Sequence, residues 1–207
     1  MFDLLHQLQA IYREVHRHAG ASGELVTLQA RRTYDAAIAD VWSALTEPAR
    51  LARWMYPVDG DLRAGGSFQF QGNAGGDILA CEPPHRLRVT YGGPTSVVDV
   101  KLTARGKATD LVLEHTVPIE IAQSAAGALF VGPGWDTGLA ALDLHLRDAL
   151  PEAAAFHASR EVQEFESRSV DAWTASVTAS GGATADEISA ARAAALDHFA
   201  PDVVKSE

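Results

Sequence analysis

His115 is the residue of this sequence with the clearest capacity for chemistry. It follows Leu111 and Leu113 at alternate positions in "LVLEH", so a strand would point all three side chains to one face. A neutral imidazole on an apolar face can orient a carbonyl or hydroxyl group of a ligand, or act as an acid or base near neutral pH. The simpler interpretation, a buried histidine hydrogen-bonded within the protein, stays open beside it.

Aromatic and apolar side chains form the second group of candidates. They offer large contact areas to a small molecule, although each of them also fits an ordinary core. Trp54 and Tyr56 come where a helical segment meets the strands, at the expected mouth of a cavity. The predicted ligand-binding set is His115, Tyr91, Trp54, Tyr56, Phe68, Phe70, Trp135 and Leu139.

Patterns typical of catalytic and metal sites do not stand out. His16 and His18 lie two apart on a predicted helix, so they do not share a face for a metal. "GNAGG" lacks the Lys-Ser/Thr pair and the helix start of a phosphate loop. Cys81 has no activating base beside it and is interpreted as a small apolar residue. We therefore predict no catalytic residue, no metal and no cofactor.

Composition narrows the class of protein. The net charge of −10 argues against nucleic acid or an anionic membrane as partner. The apolar runs are far shorter than the roughly 20 residues of a membrane span, and the N-terminal segment lacks the order of a secretory signal. One cysteine fits a reducing compartment, so we predict a cytoplasmic protein.

The first part of the chain alternates between helical and strand patterns. Residues 2–18 predict an amphipathic helix, because Leu4, Leu8, Ile11 and Val15 recur at helical spacing. "ELVTLQARRTYDA" then predicts a strand, and two short helices follow before Pro57. From Val58 to about residue 117, short alternating segments separated by glycine-rich turns predict an antiparallel meander.

Helical spacing returns after the meander. The apolar positions of the expected helix, which would be roughly 22 Å long, are Trp135, Leu139, Leu142, Leu146 and Leu150. This helix would cover the concave face of a curved sheet and leave a cavity between them. The predicted divisions are an N-terminal helix at 1–23, a main domain at 24–150 and a helical extension at 151–207 packed on the same domain.

Several motifs in this order resemble one known family. "RTYDAAIADVWSALTEPARLARWMYPVDGDLRAGGSF", "GDILACEPPHRL", "TDLVLEHTV" and "GPGWDTGLAALDLHL" are similar to its successive elements. The family is the heat-shock-protein-90 ATPase activator homologue-like branch of the SRPBCC, or START and birch-pollen-allergen-like, superfamily. The resemblance covers about residues 31–150. It implies an α+β helix-grip fold, in which a curved antiparallel sheet wraps around a long C-terminal helix, here with extra helices at both ends.

The resemblance also suggests a function. Members of the superfamily mostly bind lipids, polyketides or other hydrophobic molecules, and a minority catalyse cyclisation or hydrolysis. We therefore expect a non-enzymatic protein that binds a hydrophobic small molecule between the sheet and the long helix. Two alternatives stay open: a polyketide cyclase or aromatase-like enzyme using His115, and an interaction or co-chaperone-like module whose terminal helices form a homodimer or partner surface. The chain has no evident room for the co-chaperone's second, client-binding domain, so the resemblance does not by itself imply the co-chaperone activity.

Overall fold

A computed structural model of the chain describes residues 3–204. Its helices are α1 Leu4–Gln9, α2 Ile38–Thr46, α3 Pro48–Leu51, α4 Ile119–Ala122, α5 Gly132–Leu146, α6 Ala153–His157, α7 Arg160–Ser180, α8 Ala185–Phe199 and α9 Pro201–Val204, with a 3-10 helix at Ala125–Phe130. Its strands are β1 Tyr12–Gly20, β2 Gly23–Tyr34, β3 Val58–Gly60, β4 Ser67–Phe70, β5 Gly75–Glu82, β6 Arg86–Thr90, β7 Val97–Arg105 and β8 Ala108–Pro118.

The strands form one curved antiparallel sheet in the order β1-β2-β8-β7-β6-β5-β4-β3. From β3 to β7 each strand pairs with the next along the chain, as short glycine-rich turns require. The predicted α+β class and the predicted meander are confirmed. No helix within the described residues is long and apolar enough to cross a membrane.

The chain divides into two compact units. The first comprises the described residues up to Ala30, Thr116–Leu139, and the described residues from Ala154 onward. The second comprises Arg31–His115 and Ala140–Ala153. Strands β2 and β8 and helix α5 contribute residues to both units. The predicted divisions at residues 23 and 150 stay a prediction.

In the second unit, hydrogen bonds join α2 to α3 and to the turn that follows α3. The indole N–H of Trp54 donates to the carbonyl of Ala44 at 3.0 Å, and Trp54 is 4% exposed. Arg50 Nη1 donates to Asp40 Oδ1 at 2.6 Å, which joins the two helices on their outer side. Pro48 occupies the first turn of α3, where its missing N–H is not needed. These bonds hold the segment that leads into β3.

In the first unit, the predicted N-terminal helix is wrong over most of its length. Only Leu4–Gln9 is helical, and Tyr12–Gly20 is strand β1. Ile11 and Val15 are both buried, and a spacing of four residues places two side chains on one face of a helix or of a strand. The apolar spacing therefore did not distinguish the two structures. Residue 2 of the predicted helix and the side chain of Leu4 lie outside the described residues.

This correction removes the basis of the proposed interaction surface on an N-terminal helix. Ile11 and Val15 are each 4% exposed, so half of that apolar stripe lies in a core. His16 and His18, expected on different helix faces, lie two apart on β1 and so share a face. His18 Nε2 lies 3.0 Å from Thr27 Oγ1. Among the described residues, no three His, Cys, Asp or Glu side chains are grouped as a metal site would need.

The C-terminal half is helical, as predicted. Helix α5 begins three residues before Trp135 and ends at Leu146, so Leu150 lies beyond it. Helix α7 is the longer one, at 21 residues, and buries Val170, Trp173 and Val177. Gly181 in the left-handed conformation ends α7, and Thr184 with Glu187 forms a capping box that starts α8.

Candidate ligand-binding site

Five of the predicted site residues form one continuous series in the second unit. The ring of Tyr56 lies 6.3 Å from that of Phe70, and Phe70 meets Phe68 edge to face at 5.3 Å. Phe68 stacks with Tyr91 at 6.5 Å, and Tyr91 meets His115 edge to face at 6.2 Å. We call Tyr56, Phe70, Phe68, Tyr91 and His115 the aromatic series. These separations fall in the range of favourable aromatic pairs.

The local sequence explains the close approach of β5 to β6 beside Phe68. Phe68 of β4 pairs with Gly76 of β5. A Cβ atom added to Gly76 would lie 1.9 Å from the carbonyl oxygen of Thr90. Only glycine permits this close approach of β5 to β6. The strict alternation of "SFQF" then buries Phe68 and Phe70 together.

His115 lies at the buried end of the series. It shares its face of β8 with Leu111 and Leu113, as predicted, and is 5% exposed. Its Nε2 lies 2.8 Å from the hydroxyl oxygen of Ser96. Burial lowers the pKa of His115 to about 4, so the imidazole is neutral at pH 7. The series therefore ends on a polar but uncharged group.

Tyr91 supplies a second polar group to the series. Its hydroxyl donates to Asn73 Oδ1 at 3.2 Å, and the residue is half-buried. Burial raises the pKa of Tyr91 to about 12, with a smaller contribution from Tyr56, so the phenol keeps its proton. The series thus combines a broad apolar surface with a phenol, a neutral imidazole and a serine hydroxyl.

The other three predicted residues lie elsewhere. Trp54 is in the core beneath α2 and α3 rather than at an open mouth, because its ring is buried and its N–H bonds to Ala44. Trp135 and Leu139 belong to α5 in the first unit, where Trp135 is half-buried and Leu139 is buried. A part for these three residues in ligand binding stays a prediction.

Two polar residues of the second unit were missed by the sequence reasoning. Ser96 precedes β7 in a glycine- and proline-containing loop, where no pattern marks it as the partner of His115. Arg32 is 4% exposed on β2. A signal for Arg32 existed, because it continues the face of Val26, Leu28 and Ala30.

The first unit holds a different polar cluster, centred on Asp136 of α5. Asp136 is fully buried, and its Oδ2 accepts from Arg13 Nε at 2.7 Å, from Trp173 Nε1 at 3.1 Å and from the Ser169 hydroxyl. Burial raises the pKa of Asp136, whereas the charge of Arg13 and the three bonds act in the opposite direction. Next to it, Thr137 donates to Glu166 at 2.8 Å.

A surface groove of the second unit provides a further candidate. Its volume is about 410 Å³. Its lining residues, none of which belongs to the aromatic series, are Ala52, Arg53, His145, Asp148, Leu150, Pro151, Glu152 and Ala153. Burial, followed by the charges of Arg50 and Arg53, lowers the pKa of His145. The groove is a site of mixed charge rather than an apolar one.

Comparison with known proteins places the fold in a family. The family model described as Activator of Hsp90 ATPase homolog 1-like protein matches residues 35–147. The chain belongs to this family. The match includes α2, the meander, His115 and α5, which are the elements that carried the resemblance in the sequence. No curated protein matches the chain.

Solved structures agree with this family and with the helix-grip fold. CalU16 from Micromonospora echinospora, solved by NMR, is 37% identical, with a TM-score of 0.69 over 83% of this chain and 97% of CalU16. Its crystal structure is 40% identical, with a TM-score of 0.65 over 82% and 99%. A conserved protein of unknown function from Enterococcus faecalis is 18% identical, with a TM-score of 0.56 over 78% and 91%, and shows the fold alone.

Proposed function

We propose that this protein binds a hydrophobic small molecule through the aromatic series of its second unit. The observation that carries the proposal is the continuous run of ring contacts from Tyr56 to His115. Small-molecule sites combine aromatic walls with a few convergent polar groups, which is the composition found here.

The polar groups define what the ligand must offer. Neutral His115 and the Ser96 hydroxyl can exchange hydrogen bonds with a carbonyl or hydroxyl oxygen. Phe68 and Phe70 offer edges and faces to a planar or unsaturated skeleton. A flat, largely apolar molecule with at least one oxygen is the ligand class that best fits these residues. A cytoplasmic setting, proposed from the single cysteine, is compatible with such a ligand.

Native mass spectrometry of the purified protein, beside denaturing mass spectrometry, tests the proposal. We expect an additional mass in the native spectrum that is lost on denaturation and that gives the composition of a bound molecule. Phe68→Leu removes the ring but keeps an apolar side chain, and should lower the occupied fraction. Leu62→Ala, at a residue with 40% exposure, is the matched control and should leave it unchanged. Equal occupancy in wild type and Phe68→Leu would contradict the site.

Acid–base catalysis is a second candidate function, and the Ser96–His115 bond is the observation that favours it. A histidine bonded to a hydroxyl can take its proton and activate it as a nucleophile. The lowered pKa of His115 weakens this role, because a base with a pKa near 4 has little drive to accept a proton at pH 7. We therefore propose ligand binding ahead of acid–base catalysis.

A ligand identified by mass spectrometry separates the two functions. If the protein only binds the ligand, the ligand is recovered unchanged after incubation with the wild-type protein. Ser96→Ala then changes only the affinity for the ligand. If it is an enzyme, wild type converts the ligand, and Ser96→Ala and His115→Gln each slow that conversion. Conversion at the same rate in both variants would exclude this pair as the catalytic group.

A further inference from the structure

Arg32 places a buried positive charge in the second unit. Its side chain is 2% exposed, and its Nη2 lies 3.1 Å from Asp143 Oδ2 on α5. The guanidinium carbon lies 5.3 Å from the centre of the Tyr34 ring, within the range of a cation–π contact. The charge is therefore held in a fixed position by an ion pair and an aromatic face.

Most of the donor capacity of Arg32 is unused by the protein. No protein atom in the described part of the chain accepts a hydrogen bond from the buried Nε or Nη1 of Arg32. A guanidinium carries one N–H on Nε and two on each terminal nitrogen. A buried donor without a partner costs about 1–3 kcal/mol, and more when it is charged. An oxygen atom that does not belong to this chain would remove that cost.

The charge of Arg32 is also incompletely balanced. Asp143 Oδ2, the atom that Arg32 approaches, accepts in addition from Arg147 Nη2, just beyond the end of α5. One carboxylate thus serves two guanidinium groups. The side chain of Arg147 is 50% exposed and shares its charge with solvent, whereas Arg32 is enclosed. A second negative oxygen at Arg32 would complete the balance.

Strand geometry relates Arg32 to the aromatic series. The Thr33 hydroxyl donates to Asp110 Oδ1 at 2.6 Å, so these two residues are neighbours across β2 and β8. The preceding Arg32 and the following Leu111 therefore lie side by side on the opposite, buried face. His115 lies four residues further along the same face of β8, roughly 13 Å away at 3.3 Å per residue. Arg32 and His115 therefore lie on the same buried face, one near each end of this stretch of β8.

We propose that Arg32 binds an acidic oxygen of the ligand, either a carboxylate or an ionised enol or phenol. The inference rests on the proposed function and makes it more specific: the ligand is an elongated, largely apolar acid. Its rings or double bonds contact the aromatic series, and its anionic end accepts from Nε and Nη1 of Arg32. Charged hydrogen bonds in a desolvated site strongly favour such an anion over a neutral molecule of the same shape.

Two probes of the same shape and different charge test the inference. They are 6-phenyl-2-naphthoate and its neutral primary amide, titrated by calorimetry at pH 7. We expect the wild-type protein to bind the acid at least about tenfold more tightly than the amide. Arg32→Gln should remove this preference by weakening the acid alone. Arg63→Gln, at an exposed side chain, removes the same charge and should keep the preference.

The outcomes separate this inference from the proposed function. Amide binding without a preference for the acid, or a preference that survives Arg32→Gln, would overturn the inference, since water alone would then satisfy Arg32. Binding of neither probe would contradict the proposed function itself. A wild-type measurement covers the case in which Arg32→Gln does not fold: the NMR resonance of the Arg32 Nε–H should shift with the acid and not with the amide.

Discussion

The aromatic series and the Asp136 cluster each enclose a titratable side chain, but they use it differently. His115 meets the Tyr91 ring edge to face, and its Nε2 lies 2.8 Å from the Ser96 hydroxyl oxygen. Asp136 Oδ2 receives three donors from β1 and α7, one of them the charged Arg13. The first arrangement leaves an uncharged group at the end of an apolar surface. The second joins three elements of the first unit through one oxygen atom.

The two buried groups differ in what their hydrogen bonds do. A carboxylate oxygen that accepts from three donors stabilises the elements that carry those donors. A neutral imidazole beside a hydroxyl and the Tyr91 ring can orient a small molecule. Mutations should therefore affect stability in the first unit and binding in the second.

The largest effect should follow from breaking the Asp136 cluster. Asp136→Ala leaves the buried Arg13 without its carboxylate, and loss of one member of a buried pair costs about 3–5 kcal/mol. Urea unfolding measures the loss. Asp171→Ala, which breaks the exposed pair with Arg192, is the control and should cost less than about 1 kcal/mol. Equal losses in the two variants would show that the cluster is not the organising contact of this unit.

A smaller effect should come from the packing of Trp173 against the start of α5. A Cβ atom on Gly132 would lie 2.7 Å from ring carbons of Trp173, so Gly132→Ala should destabilise the protein by about 1–3 kcal/mol. Gly138→Ala in the same helix meets no atom within 4 Å and should stabilise it by about 0.5–1 kcal/mol. Thermal denaturation of both variants measures the contrast. Stability changes of the same sign in the two variants would contradict the close packing of Trp173 on Gly132.

The third expected effect is a difference in pH dependence between the two units. The folded pKa of His115, about 4, lies below its ordinary 6.5, so the unfolded chain binds the proton first. Stability from His115 is therefore complete above pH 6.5 and is lost as the pH falls toward 4. Burial raises the pKa of Glu166 from 4.5 to about 7, so its contribution is complete below pH 4.5 and is lost as the pH rises toward 7.

Two matched variants test the opposite pH dependences of stability. His115→Gln should flatten the rise of stability between pH 4 and 6.5, and Glu166→Gln should flatten the fall between pH 4.5 and 7. The unfolding free energy of each variant, subtracted from that of wild type across pH 4 to 8, measures both slopes. Slopes of the same sign would mean that one of these groups is not buried as described.

The sequence predicted most of the fold because its apolar periods were unambiguous. The alternation in "SFQF" and "LVLEH" can only be a strand pattern, and it placed Phe68, Phe70 and His115 on buried faces. The N-terminal segment failed because Ile11 and Val15 are spaced by four, which fits both periods. In a strand, Arg13 shares their buried face, and this is how it reaches Asp136.

The remaining features depended on contacts that no local pattern records. The pattern of "ILACE" does not fix which side chains are buried, because a register shift between Ile78 and Ala80 breaks its alternation. Glu82 then lies outward and exposed, in the commoner arrangement. Ser96 is 19 residues from His115, and Arg32 is more than a hundred from Asp143. Their pairing is set by the order of strands and helices rather than by spacing in the sequence.

NMR mapping tests whether the aromatic series binds a hydrophobic molecule. ¹H–¹⁵N spectra of the labelled protein would be recorded during titration with N-phenyl-1-naphthylamine, an uncharged aromatic probe. We predict saturable shifts concentrated at the amides of β4, β6 and the β8 residues around His115, with a change in the His115 ring nitrogens. Shifts confined to α7 and α8, or to the groove beside His145, would contradict the account, as would a spectrum that the probe leaves unchanged.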